Sequence, residues 1–349
     1  MNDIRIDGQK LHYHPHRVAQ WQESRTDTEA ALAVAPIYLE VSPVGACNHR
    51  CTFCAVDYIG YRAVSLDAHI IIDRLHEAAG MGVKSVMFAG EGEPLLHKRM
   101  NEIAASAVRS GLDIAYTTNG VLLQKVDLSI ATWCKVSLNA GTAESYSKVH
   151  RTQARDFSTV WRNIELANAR RGKCTLGVQC LMLPELAHEA EELARRCRDA
   201  GVDYLVIKPY SQHRFSVTHQ YENADTAAWE GVDLERYETE SFKVLYRPLT
   251  AATKEIPYDK CHATPFFWAY IMASGDVYSC SAYLLDERFR LGNINDESFT
   301  AIWRGEKRRR NIEYVREHLD IKECRVNCRM DKANRYLDGF TTQPHRNFI

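Results

Sequence analysis

From Pro36 onward, apolar runs of strand length alternate with longer stretches in which apolar residues return every three or four positions. The first pattern predicts strands and the second amphipathic helices. Candidate strands are Ile37–Ser42, Ser85–Ala89, Leu112–Thr118, Cys134–Leu138, Thr175–Met182 and Tyr204–Lys208. Helical stretches between them include Leu66–Ala79, His97–Arg109, Phe157–Arg171 and Glu185–Ala200. Strands alternating with helices in this way predict a parallel α/β sheet. Residues 1–35 read as a polar arm followed by a helix over Val18 to Ala33, ended by Pro36. His12, His14 and His16 alternate around Tyr13 and Pro15 and read as one solvated face of a short extended segment. Residues 36–210 thus form one unit. Past it the alternation breaks, and 211–257, with one short strand candidate at Phe242–Arg247, reads as a linker to a second domain at 258–349. In that domain strands near Phe266–Met272 and Val277–Ala282 flank a turn at Ser274-Gly275-Asp276, the pattern of a hairpin, and a helix with Trp303 follows.

Composition narrows the class. With 349 residues, 45% of them hydrophobic, the chain has ample material for a core. Lys+Arg 44 against Asp+Glu 45 leaves a formal charge of -1, so no global field recruits nucleic acid or an anionic membrane. The basic run Lys307-Arg308-Arg309-Arg310 reads as the solvated face of a helix. No stretch has the length of a membrane span or the apolar core of a signal peptide, so the expectation is a cytoplasmic protein with no membrane partner. Eleven cysteines without an export signal fit reduced thiols and metal ligation better than disulfides.

The chemistry concentrates in Cys47-Asn48-His49-Arg50-Cys51-Thr52-Phe53-Cys54, just past the first strand. Thiolates so close together suit one metal centre, and soft sulfur selects an iron–sulfur cluster, zinc or copper(I). Three protein ligands on a four-iron cubane would leave one iron open to a small molecule. Zinc, with His49 or a distant residue as fourth ligand, is the alternative occupant. The Cys-x3-Cys-x2-Cys spacing, the aromatic Phe53 before the last cysteine and the place after a first strand resemble the radical S-adenosylmethionine (SAM) superfamily. That resemblance implies a partial (β/α)6 TIM-like barrel with the cluster loop at the strands' C-terminal ends. It also implies SAM chelated to a [4Fe–4S] cluster held by Cys47, Cys51 and Cys54, and reductive cleavage to a 5′-deoxyadenosyl radical that takes hydrogen from substrate. A reduced flavodoxin- or ferredoxin-type protein is the implied electron donor.

Other strand ends carry candidate SAM contacts. Gly90-Glu91-Gly92-Glu93-Pro94 resembles the family's Gly-Gly-Glu segment, which meets the amino group of SAM, with Glu91 standing where a glycine is usual. The contact falls to Glu91 or Glu93, and a tight turn ended by Pro94 fits as well. Asn119, in Tyr116-Thr117-Thr118-Asn119-Gly120, also reads as an ordinary turn, and its similarity to the family's Thr-Asn-Gly raises it above turn chemistry alone. Ser137 and Asn139 end the fourth strand, followed by Lys148, His150 and Arg151; the resemblance assigns SAM contacts to Ser137 and Arg151, an arginine fork being suited to a carboxylate. Gln179 and Lys208-Pro209-Tyr210 face the same end from the fifth and sixth strands.

A second set, Cys261, Cys280, Cys324 and Cys328, is brought together by the hairpin and a later turn and would close either a cubane or a tetrahedral zinc. The Cys261-x13-Gly275-x4-Cys280 spacing, with Leu291-Gly292-Asn293-Ile294 and Ile302-Trp303, resembles the SPASM and twitch domains, which bind auxiliary [4Fe–4S] clusters. The cysteine count matches the shorter twitch form, so the C-terminal unit is expected as a small α+β domain with one fully ligated cluster suited to electron transfer. Cys134, Cys174, Cys180 and Cys197 read as core residues, with Cys180 retained as a hydrogen donor for an epimerase.

The resemblance to twitch-type enzymes points to oxidation of a small hydroxylated substrate, a sugar or aminocyclitol, with the auxiliary cluster accepting an electron. Rival readings are a peptide-modifying maturase, disfavoured because residues 1–35 are short for a leader-binding domain, a sugar epimerase, and a zinc-stabilised binding protein. A GTP-cyclising relative shares the layout but has a different C-terminal cysteine pattern and a Gly-Gly tail, where this chain has Arg346-Asn347-Phe348-Ile349.

Overall fold

A computed structural model describes residues 9–222, 224–246, 256–324, 328–342, 344, 345 and 348. The start of the expected polar arm, Arg247 of the short strand candidate, the end of the expected linker, residues 325–327 and Arg346, Asn347 and Ile349 of the tail lie outside them.

All six expected strands are present as β1 (Tyr38–Val41), β2 (Ser85–Phe88), β3 (Asp113–Thr118), β4 (Trp133–Ser137), β5 (Thr175–Met182) and β6 (Tyr204–Pro209). Each is parallel to the next. A seventh parallel strand, β7 (Lys243–Tyr246), pairs with β6, so the stretch expected as a linker contributes to the barrel wall. At the other edge β8 (Trp268–Ile271) pairs in parallel with β1 and leads by an antiparallel hairpin to β9 (Asp276–Tyr278) and then β10 (Arg290–Asn293). One open ten-stranded sheet in the order β10-β9-β8-β1-β2-β3-β4-β5-β6-β7 therefore carries both cysteine sets, the expected partial barrel extended by the C-terminal unit. Strand β10 was not expected, because Gly292 and Asn293 are poor strand formers.

Helices α1 (Pro15–Glu23) and α2 (Thr28–Ala33) replace the single helix expected over Val18 to Ala33. Asp27 separates them by accepting from the N–H groups of Glu29 and Ala30 at 2.8 and 3.2 Å, which starts α2 afresh. His12 and His16 fall in a 3-10 turn and in α1 rather than in an extended segment. The barrel helices are α3 (Ala68–Gly80), α4 (Met100–Arg109), α5 (Ala143–His150), α6 (Ala154–Asn168) and α7 (Ala190–Asp199). The C-terminal unit adds α8 (Phe299–Arg304), α9 (Glu306–Glu317) and α10 (Asp331–Thr342). Helix α5 was missed: it is eight residues long and buries only Tyr146, Val149 and His150, too little for a periodic signal.

Alternation along the strands divides the sheet's faces. Leu39, Val41, Val86, Phe88, Val136 and Val178 pack with the helices in the main core. Glu40, Thr117, Lys135, Ser137 and Gln179 stand at the alternate positions, on the opposite face, beside an apolar patch of Tyr38, Met87, Ala115 and Trp133, so the barrel interior mixes polar and apolar side chains.

The basic run in α9 is not all solvated. Arg308 is fully buried, and its guanidinium donates to the carbonyls of Ala31, Leu32 and Val34 at the end of α2, and to those of Trp303 and Pro265. Helix C-terminal carbonyls left without intrahelical partners carry partial negative charge, which suits this cation. Its plane also lies 4.0 Å over the Trp303 ring. Arg308→Ala should therefore cost about 3 kcal/mol in urea unfolding, because buried carbonyls lose their donor. Arg310→Ala, at an exposed position, should change stability by no more than about 0.5 kcal/mol. Equal effects of the two would contradict this account.

Candidate cluster and SAM site

The cluster loop leaves β1 and is held from three sides. The N–H and hydroxyl of Thr52 donate to the Val149 carbonyl at 2.8 and 3.1 Å, and the Arg50 N–H donates to the His150 carbonyl at 3.2 Å. These are unsatisfied carbonyls of the last turn of α5, so a helix end serves as the loop's docking post. From β2, the Glu93 N–H donates to the Ala46 carbonyl at 2.9 Å. From β3, the Asn119 amide donates to Asn48 Oδ1 at 2.7 Å. A Cβ on Gly92 would fall 2.3 Å from the Val44 carbonyl and 2.4 Å from that of Ala46, so only glycine permits this approach.

Within the loop every cysteine sulfur has a donor. The His49 N–H donates to Cys47 Sγ at 3.4 Å, His150 Nδ1 lies 3.3 Å from Cys51 Sγ, and Cys54 receives the Tyr61 hydroxyl and the Val56 N–H. Burial pushes the Cys47 thiol up to about 11 and those of Cys51 and Cys54 above their usual range; Cys54 raises both of the others further, and Cys47 raises Cys51. Three half-buried thiols so coupled need a positive centre to ionise together, which an iron–sulfur cluster provides. Spacing distinguishes the occupants. Sulfurs around one tetrahedral zinc lie about 3.8 Å apart. Among the described residues the one acid, histidine or cysteine trio with ligand atoms all within 4.8 Å is His49, Cys51 and His150, so neither cysteine set is compact enough for a single ion.

The second set converges in the same manner. Burial raises the thiols of Cys280, Cys324 and Cys328, the last to about 12, and the charge of Cys261 raises each of them further. Asn334 Nδ2 donates to Cys261 at 3.5 Å, the Tyr283 hydroxyl to Cys324 at 3.4 Å, the Met330 N–H to Cys328 at 3.4 Å and the Ala282 N–H to Cys280. Asn334 is oriented by its Oδ1, which accepts from His262 and Ala263 N–H groups at 2.8 Å each.

Comparison with known proteins agrees with this geometry. The model of the radical SAM superfamily matches residues 41–197, and that of an iron–sulfur cluster-binding domain, SPASM, matches 261–329. The chain belongs to the radical SAM superfamily. Its cofactors are SAM, the SAM-binding [4Fe–4S] cluster and an auxiliary [4Fe–4S] cluster. GTP 3′,8-cyclase of Chlorobaculum tepidum is 28% identical over 196 residues, 54% of this chain and 58% of that enzyme, so the chain spans little more than half of that relative's length. A Pyrococcus furiosus protein, the tungsten-containing aldehyde ferredoxin oxidoreductase cofactor-modifying protein, is 22% identical over 298 residues, 78% of this chain and 81% of its own. Streptococcus suis SuiB bound to its precursor peptide SuiA superposes with a TM-score of 0.64 at 15% identity, over 98% of this chain and 81% of SuiB. Native anSMEcpe with bound AdoMet gives 0.57 at 17% identity, over 83% and 86%. At these identities the two structures speak to fold.

In this radical SAM protein the expected SAM contacts divide. Glu93 accepts from the Thr118 hydroxyl and the Asn119 N–H at 2.6 and 2.8 Å and from the Leu95 N–H at 3.1 Å, and burial pushes it up to about 6. Both its oxygens are thus occupied in clamping the end of β3 to that of β2. Glu91 accepts from the Ala273 N–H at 3.1 Å through one oxygen, while its other is buried without a partner, and burial pushes it up to about 7. Gly90, at φ +123, packs on Ser42 beside them. Ser137 and Gln179 are register neighbours on the barrel's inner face. Asn139 is fully buried, its Oδ1 accepting from the Leu181 N–H at 2.7 Å, which braces β4 against β5, while its Nδ2 is buried without a partner. Arg151 caps α5 in the left-handed region, and Phe53 meets the His150 ring edge-on at 5.2 Å. Cys180 lies on the helix-facing side of β5 with Leu176 and Val178, so the structure removes it from the barrel interior where a hydrogen donor would act.

Sequence reasoning missed the strap that joins the two cluster sites. Asp57, just after the SAM-cluster loop, accepts from Ser216 Oγ and the Val217 and Thr218 N–H groups at 2.9 Å each. Burial opposes its ionisation, but these donors outweigh it and hold the carboxyl below the usual range. Ser216 also donates to the Cys54 carbonyl at 3.2 Å, and Arg214 donates to the carbonyl of Glu323, next to Cys324, at 3.1 Å. Tyr221 reaches the loop through Thr52 Oγ1 at 3.1 Å and pairs with Glu185. Anaerobically reconstituted protein should carry about eight irons, and the Cys47, Cys51, Cys54 triple alanine variant about four. An unchanged iron content in that variant would show that these thiols hold no cluster.

Proposed function

We propose that this radical SAM protein oxidises a small hydroxylated substrate, of the sugar or aminocyclitol class, by two electrons. The observation that carries the reading is the convergence of four thiols, Cys261, Cys280, Cys324 and Cys328, enough to ligate every iron of an auxiliary cubane and so suited to electron transfer. When bound, the SAM and cluster pair supplies a carbon radical that removes one hydrogen atom from a carbinol carbon. Balance then requires the substrate to lose one further electron, to the auxiliary cluster, and one proton, to a base of this chain. A ferredoxin- or flavodoxin-type protein is the proposed source of the initiating electron.

The chain's own residues support this division of labour. Thr117, Ser137 and Gln179 offer hydroxyl and amide partners inside the barrel, the kind of lining a polyol needs. Two groups suit proton acceptance. Burial pushes Glu91 up to about 7, and it lowers Lys135, which has no ion-pair partner among the described residues, to about 8. Glu91 sits at the seam between β2 and the Ala273 end of β8, so its loop touches both units.

A peptide substrate is the second reading, drawn from SuiB and its precursor peptide SuiA. The cyclase relatives add GTP as a third probe. Incubation of reduced protein and SAM with aminocyclitols deuterated at the carbinol carbons, with GTP and with peptides separates these readings. The proposal expects deuterium in 5′-deoxyadenosine and a ketone product from a cyclitol. Deuterium-free 5′-deoxyadenosine with every cyclitol, or substrate-dependent turnover with GTP or peptide alone, would contradict it.

A further inference from the structure

His150 has no part in the substrate chemistry above, yet it touches a cluster ligand. It is 1% exposed, at the last position of α5, stacked on Tyr146 at 4.4 Å and edge-on to Phe53. Its two nitrogens face different partners. The backbone N–H of Asn139 donates to Nε2 at 3.2 Å, and Nδ1 lies 3.3 Å from Cys51 Sγ. A nitrogen that accepts from an N–H bears no proton, so Nε2 is the bare nitrogen of a neutral ring and Nδ1 carries the hydrogen. The geometry leaves that hydrogen one acceptor, the Cys51 sulfur.

We propose that His150 is a positioning residue that holds a neutral Nδ1–H on the Cys51 thiolate and thereby raises the reduction potential of the SAM-binding cluster. A hydrogen bond to a ligand sulfur withdraws charge and favours the reduced cluster, which carries one more electron. Few other arrangements are open to the ring. Asn139 is fixed by its Oδ1 bond to the Leu181 N–H at 2.7 Å, so the N–H that sets the tautomer is itself held by the sheet. The His150 carbonyl is occupied in turn by the Arg50 N–H, so the same residue docks the loop through its backbone and reaches its sulfur through its ring. The trio His49, Cys51 and His150 is compact enough to hold an ion, but His150 Nε2 is already an acceptor of Asn139, and Cys51 belongs to the cluster set. The inference is independent of the substrate assigned above.

The test is a dithionite titration of the reconstituted protein, followed by electron paramagnetic resonance without SAM. His150→Leu and His150→Phe remove the donor and should move the SAM-cluster midpoint to more negative potential, while leaving the auxiliary-cluster midpoint in place. His150→Asn puts an amide N–H where Nδ1 stood and should return the midpoint toward that of the native protein. Midpoints that coincide in all four proteins, or an Asn variant that falls with Leu, would overturn the proposal. A second check uses histidine labelled with 15N in the imidazole ring only, so that the His49 backbone N–H on Cys47 is silent: the reduced SAM cluster should show a weak 15N coupling that His150→Asn abolishes. Absence of that coupling in the native protein would overturn the proposal as well.

Discussion

The structure depends on a loop of three half-buried thiols being held open against its own tendency to collapse or pair. The principal restraint is electrostatic and local: the carbonyls at the end of α5, left without partners by the helix, accept the N–H groups of Arg50 and Thr52. The Glu93 carboxylate performs the matching task on the other side, gathering Thr118 and Asn119 so that Asn119 can reach Asn48. Loop, helix end and two strand ends form one hydrogen-bonded unit. Removal of any member leaves buried polar groups unpaired, which is costlier than the bonds themselves are stabilising.

That unit is tied to the auxiliary site by covalently separate routes. The sheet is one: β8 continues β1, so the hairpin that leads to Cys280 is a direct extension of the barrel wall. The 213–218 strap is another, bonded to Asp57 at one end and to Glu323 at the other. A third is the Glu40–Arg329 ion pair, which joins the barrel interior to the residue after Cys328, with the guanidinium 5.3 Å from the Trp268 ring centroid. Two cluster sites held by such links keep a fixed separation. Trp268, Tyr270 and Met272 belong to one apolar cluster, against which Tyr58, Cys261, Cys280 and Cys324 pack.

Much of this was legible in the chain. Strands β1 to β6 announced themselves because each buries an apolar run against helices, and the two cysteine sets stood out by spacing alone. Elements whose stability is borrowed from tertiary contacts stayed hidden. Helix α5 has two turns and owes its place to the loop it docks, and β7, though legible as a short strand at Phe242–Arg247, gave no sign of joining the barrel wall because it follows a polar stretch with no periodicity. Arg308 looked like one of a run of surface cations until α2, invisible as a separate helix, supplied the carbonyls that surround it. The same blindness hid the function of His150: a histidine two residues after Lys148 gives no sign in sequence of the thiolate 3.3 Å from its ring. Cys180 erred in the opposite direction, since strand parity alone, once the register is known, sends it to the helices.

The central claim is that Cys47, Cys51 and Cys54 hold a four-iron cluster with one iron left for SAM. Electron paramagnetic resonance of the dithionite-reduced native protein, recorded before and after addition of SAM labelled with 15N at its amino group, tests it most directly. The account predicts a reduced-cluster signal whose line shape changes on addition and acquires a 15N coupling. A reduced signal identical with and without SAM would contradict it.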